Sequence, residues 1–107
     1  MSPRELDSAR LHAHLSRIRE LLDDLEELVG AVSAEKLQQD RARRYIAERI
    51  LTQLVEVAAA VNSHIAAALL GRAPRDYADS FDEAARAGAI PEGLAQELHS
   101  RAACATC

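Results

Sequence analysis

The two cysteines of this sequence stand near its carboxyl end, as Cys104 and Cys107, and His99 lies five residues before the first of them. Thiolate and imidazole groups are zinc ligands, but a structural zinc site needs four and this cluster offers three. A redox-active Cys-x-x-Cys pair begins a helix that follows a strand, and no strand is predicted here. The pattern favours a disordered tail, so we expect no metal and no cofactor.

His64 is the one histidine that lies on the apolar stripe of a long predicted helix. Such a position favours an imidazole that is packed in the core or in a dimer interface. A place lining an RNA groove is the alternative. Both interpretations of His64 stay open.

A basic stretch follows Asp40, and clustered guanidinium groups of this kind can bind phosphates. Glu48 and Glu56 lie nearby, which is more typical of a solvated helix face. The arginines that could line an RNA groove or a dimer interface are Arg41, Arg44 and Arg49, with Arg43 between them.

The bulk composition describes a small protein of 107 residues with a net charge of −4, which gives no overall attraction to nucleic acid. The length is typical of a single domain. The amino terminus is charged and lacks the apolar run of a signal peptide. The most apolar stretch, residues 54–70, is interrupted by polar side chains and falls short of the ~20 residues of a membrane span. We therefore expect a cytoplasmic protein without a membrane segment.

Helical periodicity runs through the whole chain. The first helix is predicted over residues 4–30, because its apolar residues recur at intervals of three and four. We expect these to form the buried stripe: Leu11, Leu15, Ile18, Leu22, Leu25 and Val29.

A second helix is predicted from an N-cap at Ser33 to about Leu70, with Gly71 as its stop. It carries two adjacent apolar stripes, which is typical of a central helix or of a helix in a dimer contact. Because it is unusually long, a kink or a short break is also possible. One stripe is Ile50, Leu54, Val57, Val61, His64 and Ala68, and the other is Leu51, Val55, Ala58, Ile65 and Leu69.

Two shorter helices complete the chain, one over residues 77–87 and one from Ile90-Pro91 to about Arg101. Aromatic residues make up only 3% of the sequence, so the core must be aliphatic. The predicted fold is all-α, an antiparallel up-and-down bundle of about four helices whose last helix is truncated.

Several of these segments occur together in one known family. In order, they are Ile50-Leu-x-x-Leu-Val-Glu-Val57, Asn62-Ser-His-Ile65, Gly71-x-x-Pro74-x-x-Tyr77, Phe81, Ala87-Gly-x-Ile-Pro91 and Leu94-Ala-x-x-Leu98. This run resembles the HepT-like ribonucleases, a branch of the HEPN helical domains. The resemblance covers nearly the whole chain.

The resemblance implies a homodimeric helical bundle and a metal-independent endoribonuclease that acts as the toxin of a toxin–antitoxin pair. It also implies a partner, a small MntA-like nucleotidyltransferase antitoxin that adenylylates a tyrosine in the toxin's active site. The substrate would be RNA.

The chemistry of the family lies in an arginine and a following histidine that are separated by four to six other residues. A histidine can move the proton of an attacking 2′-hydroxyl, and an arginine can stabilise charge on the phosphate. Arg101 is the last arginine here, and Thr106 and Cys107 stand where a histidine is needed. No residue inherits the catalytic role, so the resemblance predicts a HepT-like domain truncated ahead of its motif.

The tail itself offers a hypothesis for that difference. Codons for Ala103-Cys-Ala-Thr-Cys107, read one frame over, permit Leu-Arg-Asn-Leu, and Arg-Asn before an apolar residue is how the family motif opens. The tail could therefore be an out-of-frame version of the motif. The downstream nucleotides test this, since the other frame must encode a histidine a few codons on.

Three functions follow from these patterns. The first is an inactive HepT-like toxin, and the second is an active ribonuclease whose natural product is longer. The third is a helical interaction module that binds a nucleotidyltransferase partner without any role in RNA cleavage.

Overall fold

The computed structural model describes residues 6–30 and 32–105, and these fold into helices without any strand, which confirms the all-α prediction. The described residues form five helices rather than about four. They are α1 (Ser8–Gly30), α2 (Ala34–Gln39), α3 (Arg41–Leu69), α4 (Tyr77–Arg86) and α5 (Glu92–Ala105). α1 packs against α3, α3 against α4, and α4 against α5.

The additional helix arises from a break in the predicted second helix. Ser33 is the N-cap of α2, as expected, and its hydroxyl accepts the N–H of Lys36. Asp40 then adopts an extended backbone conformation and caps α3, because its carboxylate accepts the N–H of Arg43 at 3.1 Å. Aspartate is a favoured N-cap, so the residue that ends α2 through its backbone N–H also starts α3 through its side chain.

The buried face of α1 differs from the predicted stripe. Leu21 is the buried residue of this helix, whereas Leu15, Leu22 and Val29 of the stripe are exposed. The reason is that α1 packs mainly on one neighbour, α3, and turns the face centred on Leu21 toward it. A helix with one packing partner cannot cover a wide apolar stripe, so part of that stripe remains at the surface.

The first half of the chain ends at Gly71, which has a positive φ of 69° immediately after the C-cap of α3. Glycine accepts this conformation without the steric penalty of a Cβ, so the predicted stop is confirmed. Asp76 then caps α4, accepting the N–H of Asp79 at 2.7 Å. Gly88, with φ of 81°, begins the turn that folds α5 back along α4.

The core of the second half forms where α4 meets α5 and α3. Phe81, Ala78 and Ala102 are buried together, with Leu98 and Ile90 packed against them. Burial of a phenylalanine side chain contributes roughly 2–3 kcal/mol, so Phe81 anchors this cluster. Small alanine side chains let the helices approach closely.

α5 extends beyond its predicted end at Arg101, because Ala102 is buried in this core and holds the last turn in place. The predicted disordered tail is therefore wrong for residues 102–105, which are helical. Cys107 and Thr106 lie outside the described residues. The alternatives of a metal or redox role for the two cysteines, which the sequence did not favour, therefore fall partly outside the described residues.

α3 is the central element: α1 contacts it from Arg43 to His64, and α4 packs against its second half. By length and composition alone it is apolar enough to cross a membrane. Its buried Asn62 instead donates a hydrogen bond to Ser80 of α4 at 3.1 Å, a contact typical of a core helix. The predicted second stripe of α3 is only partly covered, since Leu51 and Leu69 are exposed.

Candidate functional site

His64 lies in the second half of α3 and faces the start of α1. Its Nε2 accepts the backbone N–H of Asp7 at 2.8 Å. Asp7 in turn caps α1 with its own carboxylate, which accepts the N–H of Arg10 at 3.0 Å. The imidazole therefore fixes the entry of the chain into α1, and a place for His64 in a dimer interface or an RNA groove stays a prediction.

The predicted basic stretch occupies the exposed first turns of α3. Arg44 lies 5.8 Å from the centre of the Tyr45 ring and donates to the carbonyl of Gln38. Arg41 and Arg49 are exposed on the same helix. An exposed aromatic ring beside arginines is a surface on which a nucleic-acid base can stack.

The structure does not bring His64 and these arginines together. Arg49 precedes His64 by four helical turns and Arg44 by more than five, so their backbones are roughly 20–30 Å apart on a straight helix. The two predicted features therefore lie at different places on the molecule, and one RNA groove formed by both is not seen among the described residues.

A second histidine forms a contact that the sequence analysis did not anticipate. Nδ1 of His99 in α5 is buried and lies 2.8 Å from Oδ2 of Asp82 in α4. Two unprotonated acceptors do not approach so closely, so we expect a proton on Nδ1, although the two groups do not have the alignment of a hydrogen bond. Both residues line a small cavity of about 300 Å³ together with Gln96 and Ser100.

A cluster of arginines and buried carboxylates lies at the other side of α4. Glu83 is 4% exposed and binds two guanidinium groups, with Nε of Arg72 on Oε2 at 2.9 Å and Nη1 of Arg86 on Oε1. Asp79, 6% exposed, accepts the backbone N–H of Arg75 at 3.0 Å and lies 3.5 Å from its Nη2. Burial of a carboxylate is tolerated when it is paired in this way.

These side chains surround an open depression of about 410 Å³, which we name the arginine groove. It is lined by Arg72, Ala73, Arg75, Asp79, Glu83 and Arg86.

The charges of the arginine groove also set the ionisation of its two acids. The pKa of Asp79 lies below its usual value, chiefly because the backbone N–H of Arg75 stabilises the carboxylate. The pKa of Glu83 is also lowered, chiefly by the hydrogen bond from Arg72. Burial acts in the opposite direction on both groups, but the hydrogen bonds outweigh it. Both carboxylates are therefore ionised at neutral pH.

A family model described as "Ribonuclease HepT-like" matches residues 18–104, from the middle of α1 almost to the end of α5. The chain belongs to the HepT-like ribonuclease family. No curated protein and no solved structure gives a significant match. Membership explains the all-helical architecture, which is consistent with a HEPN-type bundle.

In this HepT-like chain, neither His64 nor His99 has a guanidinium as its observed partner. His64 binds a backbone N–H and His99 binds a carboxylate. Among the described residues, no group of three His, Cys, Asp or Glu side chains is positioned to hold a metal ion. The exposed arginines of the described residues can bind anions.

The Asp82–His99 contact and the arginine groove were not predicted from the sequence, although the spacing of their residues indicates both. Asp82 and His99 lie at similar distances on either side of the Ile90-Pro91 turn, so an α4–α5 hairpin must bring them close. Arg72 and Arg75 follow the Gly71 stop and precede two acids four residues apart on one face of α4. That spacing predicts the clustered charges.

Proposed function

We propose that this HepT-like protein is the toxin-type component of a toxin–antitoxin pair, and that the polypeptide of these 107 residues binds RNA without cleaving it. The absence of cleavage is inferred from the spacing of arginines and histidines in the sequence. No arginine in the 107 residues has a histidine five to seven positions after it, so the spacing of the family's catalytic pair never occurs.

The contacts of the histidines support the absence of cleavage. A general base needs a free nitrogen beside the proton it takes, and a nearby cation must hold the phosphate. Nε2 of His64 is occupied by Asp7, and the cavity beside His99 is lined by Asp82, Gln96 and Ser100 and not by an arginine. Among the described residues, neither His64 nor His99 combines a free nitrogen with an arginine beside it, which supports the proposal that this chain does not cleave RNA.

Exposed apolar residues on α1 support a homodimer. Leu15, Leu22 and Val29 are spaced seven residues apart, so they lie along one line of the helix. An apolar groove of about 470 Å³ runs past Leu22 and Val29 toward the end of α1. A row of this kind is typical of helix-to-helix association.

Light scattering tests the dimer. Replacing Leu22 with Glu would place a charge in the interface and weaken association roughly 30-fold or more, whereas Leu94→Glu, at an exposed leucine on α5, serves as the matched control. A monomeric wild-type chain at micromolar concentration would contradict the dimer.

The proposed partner is a small nucleotidyltransferase antitoxin of the MntA kind, acting in the cytoplasm. Co-purification of the two proteins from a strain that expresses both tests this part, with the Leu22→Glu variant showing whether the partner needs the dimer. Absence of a complex at micromolar concentrations would contradict the pairing. It would favour the alternative, a helical interaction module with other partners, which the exposed apolar row on α1 also fits.

A further inference from the structure

The three arginines of the arginine groove contact buried carboxylates but remain open to solvent. The side chains of Arg72, Arg75 and Arg86 are 54%, 86% and 57% exposed, although each contacts a buried carboxylate. A guanidinium carries five N–H donors, and one nitrogen of each side chain is engaged by its carboxylate. The remaining donors can therefore bind a second anion.

The buried carboxylates act as positioning residues for these cations. Each oxygen of Glu83 meets a different arginine, so one acid fixes the separation of Arg72 and Arg86. Asp79 positions the loop that carries Arg75, because its carboxylate accepts the backbone N–H of that residue. Ordering a flexible arginine normally opposes ligand binding, and the ion pairs with Glu83 reduce this cost for Arg72 and Arg86.

The charge balance of the groove favours an anionic ligand. Its lining contains three guanidinium groups and two carboxylates, a net charge of +1, within a protein whose overall charge is −4. The acids are buried and the cations are exposed, so the cations determine what an approaching ligand meets. Planar guanidinium groups match the oxygen geometry of phosphate.

The geometry points to a phosphate-binding site in the arginine groove, at which Arg72, Arg75 and Arg86 bind the backbone phosphates of RNA. The inference rests on the RNA-binding part of the proposed function, because membership of a ribonuclease family makes RNA the phosphate source. The basic stretch around Arg44 lies at the start of α3, whereas the arginine groove begins at Arg72, just after the end of that helix. The two surfaces are therefore tested separately.

The test uses the full chain, a labelled single-stranded RNA of roughly 12 nucleotides and a titration of salt. The decisive variant is Arg75→Gln, because the backbone N–H that stabilises Asp79 remains and the fold is preserved. The matched controls are Arg101→Gln and Arg17→Gln, which remove exposed arginines that pair with glutamates on α5 and α1. Arg44→Gln tests the other basic surface.

We expect Arg75→Gln to weaken RNA binding roughly three- to tenfold and to reduce the slope of log K against log salt by roughly 0.7, the value for one phosphate contact. Arg72→Gln should do the same, while the control variants change neither quantity. RNA binding that is unchanged in both groove variants, or weakened equally in the controls, would overturn the inference. The contacts of Arg72 and Arg75 with Glu83 and Asp79 would then serve only to hold the loop before α4 against that helix.

Inorganic pyrophosphate separates the groove from the proposed function. Binding of pyrophosphate that shifts the NMR signals of Arg72 and Arg75, and is lost in Arg75→Gln, supports the phosphate site even when RNA does not bind. Failure of RNA alone would then count against the proposed function. A wild-type chain that binds neither RNA nor pyrophosphate would overturn the site itself.

Discussion

The backbone N–H of Asp7 donates to Nε2 of His64, 2.8 Å away, so a side chain near the end of α3 holds the beginning of α1. The contact joins residues far apart in the chain and orients the helix that carries the exposed apolar row. The imidazole can play this part only while Nε2 keeps its lone pair.

Replacing His64 with Ala should loosen the start of α1. Loss of this hydrogen bond is expected to destabilise the protein by about 0.5–1 kcal/mol, with faster amide hydrogen exchange over residues 7–11. His12→Ala, at an exposed position on α1, is the control. Equal exchange rates in the wild type and His64→Ala would show that the contact does not hold the helix.

A buried hydrogen-bond chain links α3 to α4. Asn62 donates to the hydroxyl of Ser80, which donates to the carbonyl of Tyr77 at 2.6 Å. Ser80→Ala leaves the buried amide of Asn62 without this acceptor and should destabilise the fold by about 1–3 kcal/mol in urea unfolding. A double-mutant cycle with Asn62→Ala should show a coupling of about 1 kcal/mol. If the two changes in unfolding free energy simply add, or if Ser100→Ala destabilises the protein as much as Ser80→Ala does, the Asn62–Ser80 hydrogen bond does not have this role.

Acid should weaken the arginine groove. The pKa values of Asp79 and Glu83 are lowered in the folded protein, so their stabilisation is complete above the pKa of the unfolded chain and is lost as pH falls through the folded pKa. Asp79→Asn should therefore be less stable than the wild type at pH 7, by about 1 kcal/mol. The difference should shrink below about pH 4. A difference that is the same at pH 7 and pH 3 would contradict this account.

The Asp82 carboxylate should fix the tautomer of His99. ¹⁵N NMR of the imidazole at neutral pH is expected to show the proton on Nδ1, because Asp82 lies 2.8 Å from that atom. Asp82→Asn should shift the population toward the Nε2–H tautomer, with a stability change of less than about 1 kcal/mol since both groups are partly exposed. A wild-type spectrum dominated by the Nε2–H form would contradict the contact.

Local signals in the sequence predicted most of the helices and two of the helix ends, but not the break at Asp40. Ser33 and Gly71 act as predicted, because a cap depends on a few neighbouring backbone groups. Apolar periodicity could not show which side of α1 is covered, since that depends on how many helices pack around it. Leu15 and Leu22 are exposed for this reason, and Leu21 is buried instead.

The candidate sites were harder to predict because they join different helices. Asp82 meets His99 only through the α4–α5 turn, and Glu83 meets Arg72 only after Gly71 reverses the chain. The basic stretch on α3 was visible as a run of arginines along one helix. Its separation from His64 follows directly from the length of an uninterrupted α3.

The most direct test of the account is an RNA cleavage assay on the purified 107-residue chain, at micromolar concentration and neutral pH, with binding measured on the same RNA. The account predicts a bound RNA that remains intact over hours. RNA cut at defined positions by the wild-type chain, with the activity removed by His99→Ala or His64→Ala at unchanged stability, would contradict it.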